Sequence, residues 1–236
     1  MSSMEIIETK SPSEDAGKAL CEALLEHKDR PVLLMLSGGS AFTILSFVSP
    51  EALGPHVTVT MLDERYSTDS KVNNFAQLEQ TGFYKTCVEK DTHIISTKVL
   101  EGESIEGLRD RFDGTLHEWK EQNKDGVTIV TMGIGSDGHT AGIFPGEYGV
   151  DFNGSNWVVG YSVPKEVNEY TDRLTVTNTF LIECIQKAIV LVTGKEKAKI
   201  INALNMRAQH IDGGHGKPAS VLLNMKEVAL YTDLKL

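Results

Sequence analysis

The chain has 236 residues, 40% of them hydrophobic and 24% charged, which suits a globular protein large enough to bury a sizeable core rather than a disordered or fibrous chain. Its 33 acidic against 23 basic residues give a formal net charge of −10, which argues against a nucleic-acid groove or an anionic membrane surface as the partner and leaves a small ligand in a locally cationic cleft. Three scattered cysteines, Cys21, Cys87 and Cys184, exclude a disulfide framework and a CxxC metal knuckle, and no leader or apolar membrane span is apparent, so a cytoplasmic protein is expected.

In chain order, the first element is a helix over Ser13 to His27. Ala16, Ala19, Leu20, Ala23 and Leu24 fall on one face, and Ser13 stands as the N-cap. PVLLML (31–36) reads as a buried strand and runs into Ser37-Gly38-Gly39-Ser40, after which the apolar segment Ala41 to Val48 predicts a helix. VTVTML (57–62) is a second buried strand and leads into Asp63-Glu64-Arg65. A helix over Glu103 to Gln122 precedes VTIVTM (127–132), which opens into Gly133-Ile134-Gly135-Ser136-Asp137-Gly138-His139. A loop over Gly146 to Gly154, a strand over NWVVGYSV (156–163) and a strand over AIVLVT (188–193) follow. The last strand ends in Gly194-Lys195-Glu196-Lys197, and a helix over Lys195 to Gln209 and a loop over Asp212 to Pro218 come after it.

These strands lack strict alternation, as expected when both faces are covered. Strands alternating with helices predict an α/β fold. The expectation is an open, mainly parallel sheet flanked by helices on both faces, Rossmann-like, with residues 1–236 forming a single domain. In such a sheet the carboxyl ends of the strands share one edge, where ligands bind. Four strands end in small, polar or charged clusters, so those clusters are expected to meet.

Each cluster admits two readings. Gly38, Gly39 and Ser40 read as a phosphate cradle at a helix start or as a plain turn; without a Gly-Lys-Ser/Thr this is not a Walker loop. Gly133 to Gly138 matches GxGxxG formally, but Pro145 and Gly146 cut the segment short, which disfavours a dinucleotide site. Asp137 and His139 read as a proton-transfer pair, the carboxylate fixing the tautomer of the imidazole, or as a solvated surface turn. No third ligand lies close enough in sequence to suggest a metal. Asp63 and Arg65 read as anion recognition or as a loop-ordering ion pair; Arg173 and Lys197 are further candidate cations or solvated charges.

Taken together, these segments resemble the 6-phosphogluconolactonases. The resemblance is carried by Ser37-Gly38-Gly39-Ser40, Leu62-Asp63-Glu64-Arg65, the block Gly133 to Ala141 with Phe144-Pro145, Arg173-Leu174-Thr175, and Val192-Thr193-Gly194 with Lys197-Ala198. It implies a cofactor-free, metal-independent cytoplasmic hydrolase of the oxidative pentose phosphate pathway, monomeric or weakly dimeric, that opens 6-phospho-D-glucono-1,5-lactone. It also implies His139 as general base, Asp137 as its orienting partner, and a phosphate site drawn from Gly38, Gly39, Ser40, Asp63, Arg65, Arg173 and Lys197, with Asn74 supporting that edge. Three departures mark a divergent member: Ser40-Ala41-Phe42 where Ser-Thr-Pro is common, Tyr66-Ser67 where Val-Pro is common, and Val228-Ala229-Leu230-Tyr231 in place of a usual Trp. Two alternatives stand beside this reading. One is a glucosamine-6-phosphate deaminase, disfavoured because Ile143 and Phe144, not an acid, precede Pro145. The other is a sugar-phosphate-binding module without turnover.

Overall fold

A computed structural model describes residues 3–209 and 217–236. The loop expected over Asp212 to Pro218 lies outside these residues except for its last two positions. Seven strands form one parallel sheet: β1 (Ser3–Glu8), β2 (Val32–Leu36), β3 (Val57–Met61), β5 (His93–Ile94), β6 (Val127–Gly133), β9 (Lys187–Val192) and β10 (Glu227–Thr232), in the order β1-β10-β9-β6-β2-β3-β5. Three more, β4 (Asp63–Arg65), β7 (Val158–Ser162) and β8 (Asp172–Val176), form a small antiparallel sheet in the order β4-β8-β7.

The sheet is covered on both faces, and β2 shows how. All five of its residues are buried. Leu33 and Met35 enter one apolar cluster with Leu108, Phe112 and Leu116 of helix α4 (Ile105–Gln122), Phe180 of α5 (Asn178–Glu183) and Ile200, Ile201 and Leu204 of α6 (Ala198–Gln209). Val32, Leu34 and Leu36 enter the other, with Leu20 and Leu24 of α1 (Pro12–Glu26), Phe75 of α2 (Asn74–Leu78) and Phe83 of α3 (Gly82–Glu89). Period-2 alternation therefore sorts two sets of apolar residues, not apolar from polar. The α/β architecture expected from the sequence is the one observed.

Several boundaries differ from expectation, each for a local reason. Helix α1 starts earlier than Ser13: Ser11 is the N-cap and Pro12 occupies the first helical position, where its missing N–H costs nothing. Helix α4 begins at Ile105 because the Ser104 hydroxyl caps it, accepting from the Gly107 N–H at 3.1 Å. The segment after β2 is a 3₁₀ helix over Gly39–Phe47. Its neighbour across the sheet face is α1, where a side chain at Gly17 would meet the Ile44 carbonyl at 2.6 Å. Asp63 to Arg65 is not a loop but β4, and the strand found within 156–163 pairs with β8 in the small antiparallel sheet.

Sheet order places the cleft. From β2 the chain runs outward through β3 to β5, then returns to the other side of β2 as β6 and continues outward to β9 and β10, beside which β1, the first strand of the chain, forms the edge. The strand order thus reverses between β2 and β6, the position where open parallel sheets leave a crevice at their carboxyl edge. Central strands β9, β6, β2 and β3 are adjacent, and they are the four that end in the polar clusters.

Candidate active site

A cleft of about 250 Å³ opens at this reversal. It is lined by Gly38, Gly39 and Ser40 after β2, Asp63 and Arg65 of β4, Gly135 and His139 after β6, Arg173 of β8 and Lys197 after β9. Every residue expected at the site lines this hollow except Asp137. Its side chain stands behind His139, with Oδ1 2.7 Å from Nδ1 and 3.1 Å from the His139 backbone nitrogen. Residues of β4 and β8 and of the turns after β2, β6 and β9 meet here, from both sheets, although Gly38 and Lys197 stand 197 − 38 = 159 positions apart in sequence.

The turn after β6 is built tightly. The Gly135 N–H donates to the His139 carbonyl at 2.9 Å and the Gly138 N–H to the Gly135 carbonyl at 3.0 Å, closing the loop on itself. The imidazole lies directly on Gly135: a Cβ there would sit 2.2 Å from Nδ1 and Cε1. Only glycine admits the ring at that distance. Because the Asp137 carboxylate is an acceptor, the neutral imidazole is held in the tautomer that donates from Nδ1, which leaves the lone pair on Nε2. Nε2 makes no hydrogen bond among the described residues. The His139 and Asp137 side chains are 38% and 44% exposed, so water reaches the pair.

The strand β4 segment resolves into three separate jobs. Asp63 Oδ2 accepts from Arg173 Nη2 at 3.1 Å, and both side chains are buried. Glu64, fully buried, does not face the cleft. Its carboxylate accepts from the Arg65 and Phe75 N–H groups at 2.8 and 2.9 Å, from the Thr97 hydroxyl at 2.9 Å and from the Asn74 N–H. Arg65 donates to the Val72 carbonyl at 3.3 Å, and its guanidinium stands 5.3 Å from the ring centroid of Tyr170. The ion pair at this segment thus runs from Asp63 to Arg173 of β8 and not to Arg65, which lines the cleft.

Comparison with known proteins narrows the reading. Residues 11–230 match the family model described as glucosamine-6-phosphate isomerases/6-phosphogluconolactonase. The chain belongs to this family. A 6-phosphogluconolactonase of Pseudomonas aeruginosa is 31% identical over 141 residues, a stretch covering 59% of this chain and 56% of that protein, so the match spans little more than half of that relative. Among solved structures, the 6-phosphogluconolactonase from Plasmodium vivax superposes with a TM-score of 0.76 at 16% identity, covering 97% of this chain and 90% of that one. The one from Trypanosoma cruzi does so with a TM-score of 0.73 at 20% identity, covering 98% and 96%. At these identities the likeness is one of fold.

In this member of the isomerase/lactonase family the cleft has the opposite sign to the molecule. Three cations, Arg65, Arg173 and Lys197, line it against one carboxylate, Asp63, although the chain as a whole carries −10. Arg65 Nε and Arg173 Nε are buried without a hydrogen-bond partner, as is Asn74 Oδ1. Buried donors left open on two guanidinium groups are costly unless a ligand or water meets them. Burial lowers the Arg173 pKa and the Asp63 carboxylate opposes that shift. Among the described residues, no group of three or more His, Cys, Asp or Glu side chains could hold a metal ion, and no helix is long and apolar enough to cross a membrane.

Some contributors were not singled out by the sequence. Gly142 lines the cleft and Tyr170 braces Arg65; Ser37 and Phe144 were noted only as parts of motifs, and the structure shows Ser37 lining the cleft and Phe144 stacked on His139. Aromatic side chains in loops have no spacing rule that would single them out. Gly38 was legible as a glycine but not for its reason: a Cβ there would lie 2.2 Å from Asn74 Oδ1, so the loop after β2 rests against α2.

Proposed function

We propose that this chain is a 6-phosphogluconolactonase, hydrolysing 6-phospho-D-glucono-1,5-lactone to 6-phosphogluconate in the oxidative pentose phosphate pathway. The observation that carries the reading is one cleft holding a Asp137–His139 pair with Nε2 open and, on its other walls, three cations and the Gly38-Gly39-Ser40 backbone. Family membership and the Pseudomonas relative support it.

In this proposal the phosphate lies against Gly39 and Ser40, at the uncapped start of the 3₁₀ helix, with Arg65 and Lys197 as charge partners. Arg173 completes the positive wall. Asp63 is an anion held by Arg173, so its part is to fix that guanidinium rather than to touch phosphate. His139 Nε2 takes a proton from water as the water oxygen attacks the lactone carbonyl carbon. The tetrahedral intermediate then collapses with cleavage of the bond to the ring oxygen, which takes the proton back from the imidazolium. Asp137 keeps Nδ1 protonated throughout and stabilises the imidazolium. The remote phosphate supplies binding energy that orients the ring.

The test uses lactone made in situ and measures acid release above the spontaneous rate. Wild-type protein is expected to accelerate opening, and His139→Ala to lose at least about a hundredfold in kcat while still binding 6-phosphogluconate, the size expected for loss of a general base. Ammonia release from glucosamine 6-phosphate without lactone opening would refute the proposal in favour of a deaminase. Binding of 6-phosphogluconate without any acceleration would refute it in favour of a module without turnover.

A further inference from the structure

Phe144 ends the turn that carries the Asp137–His139 pair, and its side chain is only 3% exposed. Its ring centroid lies 4.6 Å from that of the His139 imidazole, with the planes 30° apart. The Arg173 guanidinium carbon lies 5.4 Å from the centroid of the same ring. The residue is pinned from its backbone: its N–H donates to the Tyr161 hydroxyl at 3.3 Å, and that hydroxyl donates to the Gly142 carbonyl at 2.5 Å. Tyr161 and Val163 close an apolar cluster around it.

Filling that apolar cluster does not require an aromatic ring; a leucine of similar volume would serve. What the ring adds is an electron-rich face. Stacked on imidazole, it restricts rotation of the side chain and favours the charged imidazolium over the neutral ring. Set near a guanidinium, the same face seats that cation as well. The two groups that share Phe144 line the same cleft.

We propose that Phe144 is a positioning residue: its ring holds the His139 imidazole against Asp137, stabilises that imidazole when it is protonated, and seats Arg173 beside it. The kinetic consequence of this role rests on the lactonase reading; the stacking and its effect on His139 do not.

The other charged or titratable groups around His139 are these. Asp137 contacts it on its own turn, and Tyr148 stands on the loop that follows. Arg65 and Asp63 face it from β4, Arg173 from β8, and Lys197 from the turn after β9. The Lys217 side chain packs over Gly138. A change confined to the electronics of the Phe144 ring removes none of them and loosens only Arg173, the one that the ring itself seats, so it isolates the ring's part.

The sign follows from the chemistry. The ring face favours imidazolium, so weakening it lowers the pH at which His139 titrates. His139 acts as a base only when neutral, so the acid limb of kcat/KM moves to lower pH with it. The full chain is prepared with Phe144 replaced in turn by mono-, tri- and pentafluorophenylalanine, which keep the ring's shape while draining its π face. His139 titration is followed by NMR of labelled imidazole, with the signal assigned through His139→Asn, and the lactone pH profile is recorded alongside. A stepwise fall totalling about half a pH unit is expected, the size of an ordinary cation–π contact. Phe144→Leu is expected to shift in the same direction and to lower kcat more than it raises KM. A midpoint that stays within about 0.1 unit across the fluorinated series, or rises, overturns the proposal whatever the activity. A stepwise fall in a protein that does not open the lactone supports the positioning role and overturns the lactonase reading alone.

Discussion

At the scale of single residues, Glu64 shows how a charged side chain can serve a site it does not enter. It sits between Asp63 and Arg65, both of which line the cleft, yet it points into the protein and ties β4 to the start of α2 and to Thr97. Burial pushes its carboxyl up to about 7, while the N–H groups of Phe75, Asn74 and Arg65 and the Thr97 hydroxyl pull it back. A raised carboxyl pKa means that the folded state holds the proton more tightly than the unfolded chain. The stability this group contributes is therefore fully present below its ordinary value of 4.5 and is lost as pH rises through about 7. The shift corresponds to about 3 kcal/mol at most. Glu64→Gln puts an amide NH₂ against two of the donors, which leaves them unsatisfied in the interior at a cost of about 1–3 kcal/mol. Urea unfolding at pH 5 and pH 8 checks both parts. The wild type is expected to lose stability across that interval by more than the variant does, and the gap between the two proteins is expected to be wider at pH 5. A gap that is equal at both pH values would mean that Glu64 does not titrate in this range.

At the scale of elements, the turn after β6 decides the geometry of the proposed base, and its glycines explain why. Gly135→Ala places a methyl group 2.2 Å from two atoms of the imidazole, so the ring must leave Asp137 or the turn must open. Displacements of this order cost about a hundredfold in rate when a catalytic group is involved. The expected result is a kcat lower by roughly that factor with far-ultraviolet circular dichroism unchanged, since the strand before the turn keeps its partners β2 and β9. Normal turnover in Gly135→Ala would show that the pair tolerates displacement and does not act as a unit. How far such elements could be read from the chain varied with how much of their stability is local. The long buried strands β2, β3, β6 and β9 announced themselves, because burial on both faces leaves continuous apolar runs. Edge strand β1 did not: its burial pattern alternates and its sequence mixes Glu with Ile. Strand β5 is two residues long, and β4 is three residues of which all carry charge, so neither offers a pattern to read. The 3₁₀ helix after β2 was legible as helix-like but not by type, because its apolar run does not distinguish 3₁₀ from α; it packs closely on α1 at Gly17.

At the scale of the whole molecule, two sheets of different kind meet at the cleft, and this meeting was not legible. The sequence showed that the ends of β2, β3, β6 and β9 converge on one rim, which follows from parallel topology alone. It did not show that β4, β8 and β7 leave that sheet and roof the rim with an antiparallel ribbon, because side-chain patterns do not record which strand a short segment pairs with. Within that ribbon the Asp63–Arg173 pair ties β4 to its neighbour β8, both side chains shielded from solvent and both lining the cleft. A buried pair of this kind is a weak source of stability but is expensive to break, since the surviving charge stays in the interior. Arg173→Met is therefore expected to destabilise the protein by about 3–5 kcal/mol, because it strands the Asp63 carboxylate. Asp63→Asn combined with Arg173→Met removes both charges and is expected to restore most of that loss. Lactone hydrolysis should stay depressed in the double variant, because one wall of the cleft has lost its cation. Urea unfolding and lactone turnover, measured on both single variants and on the double variant, separate the two contributions. If the double variant recovers turnover together with stability, the pair serves only to hold β4 against β8 and Arg173 has no part in holding the anionic ligand of the proposed reaction.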